Sequence, residues 1–501
     1  MLPEPDLTPR TPLRPLIWPD LVPDLQERLA DDPTPVWIVG GAVRDAYLHR
    51  SLHDLDLVTP DQAVALARKI ARLMNGDLFI LDAERDVARV ILSLEGDAQA
   101  VHPAEMKPRK FIIDVAGFRG ETLAADLRDR DFTFNAMAVD FKGDLSLLID
   151  PLAGEQDITL KRVRQCKPDA LTDDPIRMLR AVRLSAQFGF TIESGTLASI
   201  RSHTANLTQT SAERIRDEFF KILGLAKPTQ PLRIAARLGL LQTFLPEIDG
   251  LINTAPEGSP FANRWDQLLV TIEKLHTLQA SIIQRTESSP ASFEVGMVVM
   301  QFDRYRHALS GYLRRPGPED RTMVMLLILA LMLRAINATA VSGQAVDAED
   351  YADRLRLSNP EKQFLVTSVA HMQPIPLDRR PNRLTMHRYW YQFGEAGIGL
   401  LLIRLSEMLG AYAHFIEQDQ WLVIVDSANT LLEAYFDHHD TIVSPPVLLD
   451  GTQLKQMLKL RSGPIIGQLL TLIREGQVTG TITSTEEALE QAREYISQQS
   501  Q

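Results

Sequence analysis

The sequence lacks the features of secreted and membrane-spanning proteins. It contains a single cysteine, Cys166, in 501 residues, so no disulfide can form within the chain. Its longest apolar run, at 323–333, is far shorter than the roughly 20 residues that cross a bilayer. Residues 1–23 lack the charged-then-apolar order of a signal peptide. These absences predict a cytoplasmic protein without membrane contact, and no sequence feature points to an obligate protein partner.

The chain also lacks an excess of positive charge. Its 53 Lys and Arg residues are outnumbered by 65 Asp and Glu, which gives a net charge of −12. This total does not exclude a nucleic-acid partner, because phosphate binding needs only a local basic surface. The composition, 45% hydrophobic and 24% charged, is that of a globular protein. Single cores stop growing at about 250–300 residues, so we expect several domains.

Strand-like runs are concentrated in the first third of the chain. The β-rich run 36–39 ends in a Gly-Gly pair, 42–49 has the composition of a helix, and 54–58 alternates aspartate with apolar residues. Further strands are predicted at 78–81, 88–92, 111–115, 134–140 and 147–149. This part of the sequence therefore indicates a mixed α/β region.

From about residue 161 the pattern changes to long segments with helical periodicity. The predicted fold is α+β, with a small mixed α/β head followed by a long all-α neck, body and tail. The predicted divisions are an N-terminal extension (1–30), the head (31–160), the neck (161–225), the body (226–440) and the tail (441–501).

The first chemically informative motif is the Gly40-Gly41 pair with Arg44. A glycine pair at a strand-to-helix turn lets the backbone approach phosphate oxygens, and the exposed amides of a helix start favour the same negative charge. Arg44 would lie in the next helical turn, where it can face that anion. Taken alone, such a pair is more often an ordinary turn.

Asp54 and Asp56 follow on the next predicted strand, two residues apart, so both carboxylates project from one face. Paired carboxylates on a rigid face suit two Mg²⁺ ions in phosphoryl transfer. Asp114, flanked by apolar strand residues, is a candidate third carboxylate. An isolated Asp-x-Asp is usually a solvated face, but its position after the glycine motif favours the metal site.

The segment 127–138 supplies a second cluster. Arg130 offers a planar fork to phosphate oxygens, and Asp131 and Asn135 can accept from and donate to a ribose hydroxyl. The alternative is a charged surface turn before a buried segment.

A third cluster lies at 173–183, where Pro175 suits the first position of a helix and Asp174 its N-cap. Arg177, Arg180 and Arg183 recur every third residue and lie on one side of that helix. Such a row can contact a nucleobase and triphosphate oxygens. The alternative is an ordinary capped helix with a basic solvated face.

These ordered motifs resemble the class II tRNA nucleotidyltransferase and bacterial poly(A) polymerase family over about 36–223. The glycine and Asp-x-Asp block, Arg-Asp-Phe-Thr at 130–133, the Asp-Pro turn at 150–151 with Gly154, the 174–183 helix and Ser-Ala-Glu-Arg-Ile at 211–215 carry the resemblance. Two departures are Asp129, where the family usually has arginine, and His49, where glycine is frequent. The first is expected to weaken the positive charge beside the nucleotide.

The resemblance implies an enzyme that adds CCA, or its terminal A, to the 3′ end of tRNA from CTP and ATP. It implies that Asp54 and Asp56 hold Mg²⁺ and that Asp174 and Arg177 act as a protein template for the base. The implied nucleotide-binding residues also include Gly41, Arg44, Arg130, Arg180 and Arg183. The alternatives are a poly(A) polymerase acting on general RNA and a catalytically silent RNA-binding protein.

Longer family members often carry a metal-dependent HD phosphohydrolase domain in the body. Here the corresponding helices, around 265–275 and 323–334, lack the expected His and His-Asp ligands, which predicts a degenerate, metal-free version. The dipeptide His439-Asp440 lies in a polar linker, where a solvated turn is favoured over a metal site. The basic runs 107–110 and 161–164 are candidates for phosphate contact.

Overall fold

The structure, a computed structural model, describes residues 6–94, 109–283, 293–339, 346–371, 377–411 and 417–499. The chain divides into two compact units. The head unit comprises Met1–Ser211 and Ile234–Thr243, and the helical unit comprises Ala212–Arg233 and Phe244–Gln501. Among the described residues, no helix has both the length and the apolar character needed to cross a membrane.

The head unit is built on one mixed six-stranded sheet. Its strands are β1 (Trp37–Val39), β2 (Asp54–Thr59), β3 (Asp77–Asp82), β4 (Val87–Leu94), β5 (Arg109–Gly117) and β6 (Ala138–Asp140). They are arranged in the order β3-β4-β5-β2-β1-β6, in which β2 and β5 are parallel and the other neighbours antiparallel. Two short strands, β7 (Arg162–Val163) and β8 (Thr191–Ile192), form a separate parallel pair.

The predicted strands at 36–39, 54–58, 78–81, 88–92 and 111–115 are confirmed, with small shifts at their ends. The prediction for 134–140 is wrong in its first half, because Thr133–Asn135 forms a 3₁₀ turn before β6. The Asn135 side chain hydrogen-bonds to Asp131, a local bond that competes with strand pairing. The segment 147–149 forms isolated bridges instead of a strand, and β7 and β8 were not predicted.

Helices of the head unit lie before, between and after the strands of the sheet in the sequence. They are α1 (Leu21–Arg28), α2 (Gly41–Tyr47), α3 (Ala63–Leu73), α4 (Leu123–Arg128), α5 (Gly154–Thr159), α6 (Ala170–Asp173), α7 (Arg177–Phe188) and α8 (Ser194–His203). Helix α3 shows why they pack: Leu66 and Ile70 recur at helical spacing, are buried, and lie on the face that contacts β4 and β5.

The rest of the chain is helical. Its helices are α9 (Ala212–Leu223), α10 (Thr229–Arg237), α11 (Ile248–Ile252), α12 (Arg264–Ile283), α13 (Phe293–Gln301), α14 (Arg306–Arg314), α15 (Met323–Thr339), α16 (Ala348–Arg354), α17 (Asn359–Ala370), α18 (Arg383–Phe393), α19 (Ala396–Ala411), α20 (Gln418–Phe436), α21 (Gly451–Leu458), α22 (Pro464–Thr479) and α23 (Thr485–Gln499). Helix α15 contains the longest apolar run and is buried along most of its length. This arrangement confirms the predicted fold class of a mixed α/β head followed by an all-α region.

The N-terminal segment is part of the head unit. Arg10 exchanges two backbone hydrogen bonds with Leu148, at 2.9 and 2.8 Å. Its guanidinium also pairs with Asp150 at 3.1 Å and with the buried Glu155 at 2.6 Å. Trp18 donates a further hydrogen bond to the carbonyl of Leu145 at 3.0 Å. The segment is therefore fastened to the chain that follows β6.

The C-terminal helices have a small core of their own. Helix α21 begins with a capping box, in which the Asp450 side chain accepts from the Gln453 amide and the Gln453 side chain accepts from the Asp450 amide. The residues that share this core come from α21, α22, α23 and the turns between them: Leu449, Leu454, Leu469, Ile473, Ile482, Ala488 and Ala492.

Candidate active site

The candidate site lies on the central strands of the head sheet. Asp54 and Asp56 are two residues apart on β2, so they lie on the same face. In the parallel pairing of β2 with β5, Asp56 is directly opposite Asp114. Paired residues of neighbouring strands project from one face, so the sheet places all three carboxylates that were predicted from the sequence on one face.

Asp114 has a partner that the sequence analysis missed. Arg89 on β4 is paired in register with Asp114, and its Nε and Nη2 donate to the two carboxylate oxygens at 2.8 and 2.9 Å. The signal that could have revealed Arg89 is a single charge within the apolar run of β4. The pairing neutralises Asp114, so Asp54 and Asp56 are the carboxylates that remain for a cation.

Burial raises the pKa of Asp56 to about 6. Arg130 opposes this shift, the nearby charges of Asp54 and Asp114 add to it, and Arg44 opposes it more weakly. A carboxylate whose charge is disfavoured by burial and by other carboxylates is stabilised when a cation binds beside it. The local electrostatics therefore suit a cation site.

The Gly40-Gly41 turn lies against the carboxylate of Asp56. Gly40 has a φ of 75°, a left-handed conformation that favours glycine. A Cβ atom at this position would lie 2.9 Å from Nη1 of Arg130 and 3.1 Å from Oδ2 of Asp56. At Gly41, a Cβ atom would lie 3.3 Å from Nη2 of Arg44. The turn thus places backbone between a carboxylate and two guanidinium groups, where a side chain would not fit.

Arg44 and Arg180 are joined by a continuous chain of buried polar groups. Arg44 pairs with Asp45 at 2.8 Å and donates to the Asn135 Oδ1 at 2.6 Å. Asn135 in turn donates to one oxygen of Asp131 at 2.9 Å, and Arg180 donates to the other at 2.9 and 2.6 Å. This chain connects α2 to α7.

Asp131 remains ionised at the centre of that chain. Burial opposes its charge, but Arg180, with hydrogen bonds from Asn135 and the Phe132 amide, holds the pKa of the Asp131 carboxyl well below its usual range. Asp131 is therefore an acceptor with both oxygens engaged, and it fixes the orientation of Arg180 before any ligand arrives.

Arg130 is oriented by a second acid that sequence reasoning missed. Its Nε and Nη2 donate to one oxygen of Asp126 at 3.0 and 2.8 Å, and Asp126 is fully buried. The other Asp126 oxygen accepts from the backbone amide of Arg119 at 3.1 Å. The i to i+4 spacing of Asp126 and Arg130 was the available signal.

The helix predicted to begin at Pro175 begins at Arg177 instead. Ile176 occupies the N-cap position, and Asp174 and Pro175 form a turn in which the Asp174 carbonyl accepts from the Arg177 amide at 3.1 Å. The prediction that Asp174 is the N-cap is wrong, because the turn after α6 adds two residues before the helix. Asp174 has an extended backbone there.

Arg177 is 6% exposed and contacts the segment 127–138 that contains Asp129 and Arg130. Its guanidinium donates to the carbonyls of Asp129 at 2.7 Å, Ala170 at 3.2 Å and Arg130 at 3.3 Å. Arg183 donates to Gln187 at 2.8 Å, one turn further along α7. The structure therefore brings Arg177 beside Asp129 and Arg130, and Asp174 lies 3.8 Å from the Arg177 guanidinium.

The two departures from the family pattern have local explanations. Lys167 lies 2.7 Å from the carboxylates of both Asp129 and Asp173, and it supplies the positive charge that Asp129 was expected to remove. His49 has a φ of 54°, so it occupies a left-handed conformation in which glycine is less strained. Lys167 was not identified from the sequence, because 38 residues separate it from Asp129.

The remaining candidates from the sequence do not join this site. In the run 161–164, Arg162 and Arg164 pair with the buried Asp157 at 3.1 and 2.7 Å. In the run 107–110, residues 107 and 108 lie outside the described residues. His439 lies 3.6 Å from Asp440, and within the described ranges no three or more His, Cys, Asp or Glu side chains form a group that could hold a metal ion.

Comparison with known protein families identifies the head. Residues 36–164 match the poly A polymerase head domain, and residues 189–251 match a family described as "Probable RNA and SrmB- binding site of polymerase A". The first match spans the six-stranded sheet, including the strands β2 and β5 that carry Asp54, Asp56 and Asp114, and the Arg130 cluster.

Three related proteins show how far the similarity extends. A CC-adding tRNA nucleotidyltransferase of Geobacter sulfurreducens is 41% identical over 189 residues, which cover 38% of this chain and only 40% of that protein. A CC-adding tRNA nucleotidyltransferase of Synechocystis sp. is 28% identical over 94% of this chain and 97% of its own length. An A-adding tRNA nucleotidyltransferase of Deinococcus radiodurans is 26% identical over 91% and 94%, respectively. The resemblance predicted from the motifs is thereby confirmed.

Solved structures show the same fold. A CCA-adding enzyme in complex with ATP has a TM-score of 0.59 at 20% identity, covering 95% of each chain. The complex of a CCA-adding enzyme with CTP has a TM-score of 0.58 at 20% identity, covering 96% of each chain. The Thermotoga maritima CCA-adding enzyme complexed with tRNA has a TM-score of 0.53 at 21% identity, covering 95% of each chain.

Proposed function

We propose that this chain, whose head matches the poly A polymerase head domain, is a tRNA nucleotidyltransferase that transfers nucleotides from CTP and ATP to the 3′ end of tRNA. The observation that carries the proposal is the meeting of Asp56, the Gly40 turn and the Arg130 guanidinium at one point of the sheet. Nucleotidyl transfer needs acidic groups for divalent cations beside donors for phosphate oxygens, and this point supplies both.

The proposed cofactor is Mg²⁺, held by Asp54 and Asp56. Mg²⁺ is usually bound in proteins through one or two carboxylates and completes its ligands with water and substrate phosphates, so the two carboxylates on one face of β2 fit it. When bound, the ion neutralises charge on the phosphates and on the attacking oxygen. Asp114, engaged by Arg89, would adjust the potential around the two carboxylates.

The residues around the carboxylates would bind the nucleotide. Arg44, Arg130, Arg180 and Arg183 would contact the triphosphate, while Gly40 and Gly41 let the backbone approach it. Asp131 and Asn135 would orient the ribose side through the chain that links Arg44 to Arg180. Since these groups are already hydrogen-bonded to one another, little reorganisation is required when the nucleotide binds.

Asp174 and Arg177 would distinguish the base. Arg177 donates hydrogen bonds to three backbone carbonyls. It would therefore position the turn that carries Asp174, and it would also face the base. In the transfer itself, the 3′ oxygen of the tRNA forms a bond to the α-phosphorus and the bond to the bridging oxygen breaks. Pyrophosphate then leaves beside the arginines.

The choice of tRNA as acceptor is supported by the relatives of similar length. Two of them, matched over 97% and 94% of their sequences, are named CC-adding and A-adding tRNA nucleotidyltransferases. The chain is acidic, with a net charge of −12, which does not favour a polymerase that grips general RNA through basic extensions. The proposed location is the cytoplasm.

The experiment measures incorporation of labelled CTP and ATP, with Mg²⁺, into three RNAs: tRNA ending before CCA, tRNA ending after CC, and an unrelated RNA. Incorporation of CTP then ATP into the first RNA assigns CCA addition, CTP alone assigns CC addition, and ATP alone into the second assigns A addition. The Asp54→Ala variant is the matched inactive control.

Two outcomes would overturn the proposal. Long A tails on the unrelated RNA would assign a poly(A) polymerase. An absence of incorporation into all three RNAs, together with retained tRNA binding, would assign a silent RNA-binding protein.

The division of the chain into extension, head, neck, body and tail is a separate prediction, which limited proteolysis would test.

A further inference from the structure

The helical unit contains a cavity of about 280 Å³ between α12, α15 and α19. Three arginines from these three helices line it, namely Arg264, Arg334 and Arg404, together with the carboxylate of Glu407. Most of the other lining residues, such as Leu268 and Leu331, are apolar. All of them belong to the helical unit, so the cavity is separate from the carboxylates of the head.

The charges around this cavity do not balance. Glu407 pairs with Arg334 at 2.8 Å and lies 3.6 Å from Arg404. Three guanidinium groups thus share one carboxylate among the lining residues, which leaves two positive charges. A surplus of positive charge at a partly enclosed site attracts an anion, because water screens it less than it screens a surface charge.

Arg264, one of the residues that line the cavity, has an unsatisfied donor. Its Nε atom is buried and has no hydrogen-bond partner among the described residues. A buried donor without a partner is costly, and such groups in folded proteins usually find an acceptor. A ligand oxygen in the adjoining cavity would supply that acceptor.

One of the three lining arginines, Arg334, is fixed before any ligand binds. Arg334 is 1% exposed, and its Nη1 donates to the carbonyls of Ser368 at 2.6 Å and His371 at 2.9 Å. Gly410 on α19 lies against Thr271 of α12 so closely that a Cβ atom would collide with the threonine side chain. The helices that carry the arginines are therefore held at a fixed separation.

We propose that this cavity binds a phosphate monoester, with the phosphate group between Arg264 and Arg404 and above Arg334. Guanidinium forks match the paired oxygens of phosphate, and several of them around one group are typical of phosphate recognition. The volume is near the lower end of small-molecule sites, which limits the ligand to a free phosphate or a mononucleotide whose base lies on the leucines. The inference does not depend on the function proposed for the head.

The test is isothermal titration calorimetry of the full chain with inorganic phosphate, AMP and adenosine, in EDTA. Because arginines of the head also face phosphate, all titrations are made in the Arg130→Gln background. Arg264→Gln and Arg404→Gln are then added singly, and Arg314→Gln on α14, outside the cavity, is the matched control. Thermal melting of each variant shows whether it is folded.

We expect one-to-one binding of AMP or phosphate but not adenosine, and a loss of affinity of about tenfold or more in the Arg264→Gln and Arg404→Gln variants. AMP that binds more tightly than phosphate would identify a nucleotide as the ligand, and equal affinities would identify inorganic phosphate. The absence of binding in the Arg130→Gln background would overturn the proposal. An affinity that Arg264→Gln leaves unchanged would do the same.

Discussion

The head unit and the helical unit both bury arginines, but they leave opposite charges unpaired. In the head, Arg130 and Arg180 are each matched by a buried aspartate, Asp126 and Asp131. Among the described residues, no ion pair engages Asp54 or Asp56. In the helical unit, Arg334 and Arg404 share one glutamate, and the Arg264 Nε lacks an acceptor. The sign of the charge that remains at each site after internal pairing thus indicates the ligand. It is a cation in the head and an anion in the helical unit.

The largest expected effect comes from removing the negative charge of the head. The Asp54→Ala variant should lose nucleotide incorporation by on the order of 10³-fold, because metal stabilisation of transferring phosphate is worth several kcal/mol. Incorporation into tRNA at saturating Mg²⁺ measures this loss. The matched control is Asp77→Ala on the edge strand β3, which should keep full activity. An active, folded Asp54→Ala variant would refute the assignment of Asp54 as a metal ligand.

The next effect tests how much the buried Arg334–Glu407 ion pair contributes to the stability of the helical unit. The Arg334→Met variant leaves Glu407 without its main partner and should lower the free energy of unfolding by about 3 kcal/mol. The matched control, Arg315→Met, breaks an exposed pair with Glu395 and should cost less than about 1 kcal/mol. Urea denaturation measures both variants. Equal losses would show that burial does not distinguish the two pairs.

An effect of comparable size and opposite sign is expected at Asp56. Its pKa is raised from 3.8 to about 6 in the folded protein, so ionisation of Asp56 destabilises the metal-free fold at neutral pH. Asp56→Asn should therefore raise the free energy of unfolding by about 3 kcal/mol at pH 7.5 in EDTA. The gain should decrease as the pH falls through 6 and vanish below about pH 3, where the folded and unfolded chains both hold the proton.

Urea denaturation at pH 7.5 and pH 4 measures this difference, with Asp77→Asn as the control. If Asp56→Asn were no more stable at pH 7.5 than at pH 4, the carboxylate would not be held in an unfavourable environment. The head would then not contain the unfavourable negative charge that distinguishes it from the helical unit.

The smallest expected effect tests the role of Asp114. The Arg89→Gln variant removes the guanidinium that neutralises Asp114 and leaves a third negative charge beside Asp54 and Asp56. We expect the half-saturating Mg²⁺ concentration for incorporation to fall about fivefold, corresponding to about 1 kcal/mol. Arg85→Gln, in the exposed turn before β4, is the control. A higher Mg²⁺ requirement would instead show that Arg89 positions Asp114 as a ligand.

Local spacing was enough to predict much of the site. Gly40 and Gly41 lie at a turn between a strand and a helix, and Asp54 and Asp56 alternate with apolar residues on β2, so short-range rules place all four. Arg89 and Lys167 were missed because their partners lie 25 and 38 residues away. Such pairs depend on strand order and on the path of the chain, which periodicity does not reveal.

The helical unit was harder to predict for the same reason. Its sequence indicated helices at 265–275 and 323–334 without metal ligands, and α12 and α15 are present there. The pairing of Arg334 with Glu407 spans 73 residues. Neither residue stands out locally, since a lone arginine at the end of an apolar helix is usually solvated. The start of α7 was also misplaced, because the turn at Asp174 extends beyond the proline.

The pairing of the N-terminal segment has a consequence for folding during synthesis. Arg10 reaches Asp150 and Glu155 across 140 and 145 residues of chain. At ribosomal rates of about 5–20 residues per second, these partners are made roughly 7–30 s after Arg10. The segment around Arg10 thus cannot take its place in the head until residues 150–155 have been made, and most of the helical unit is translated only after that.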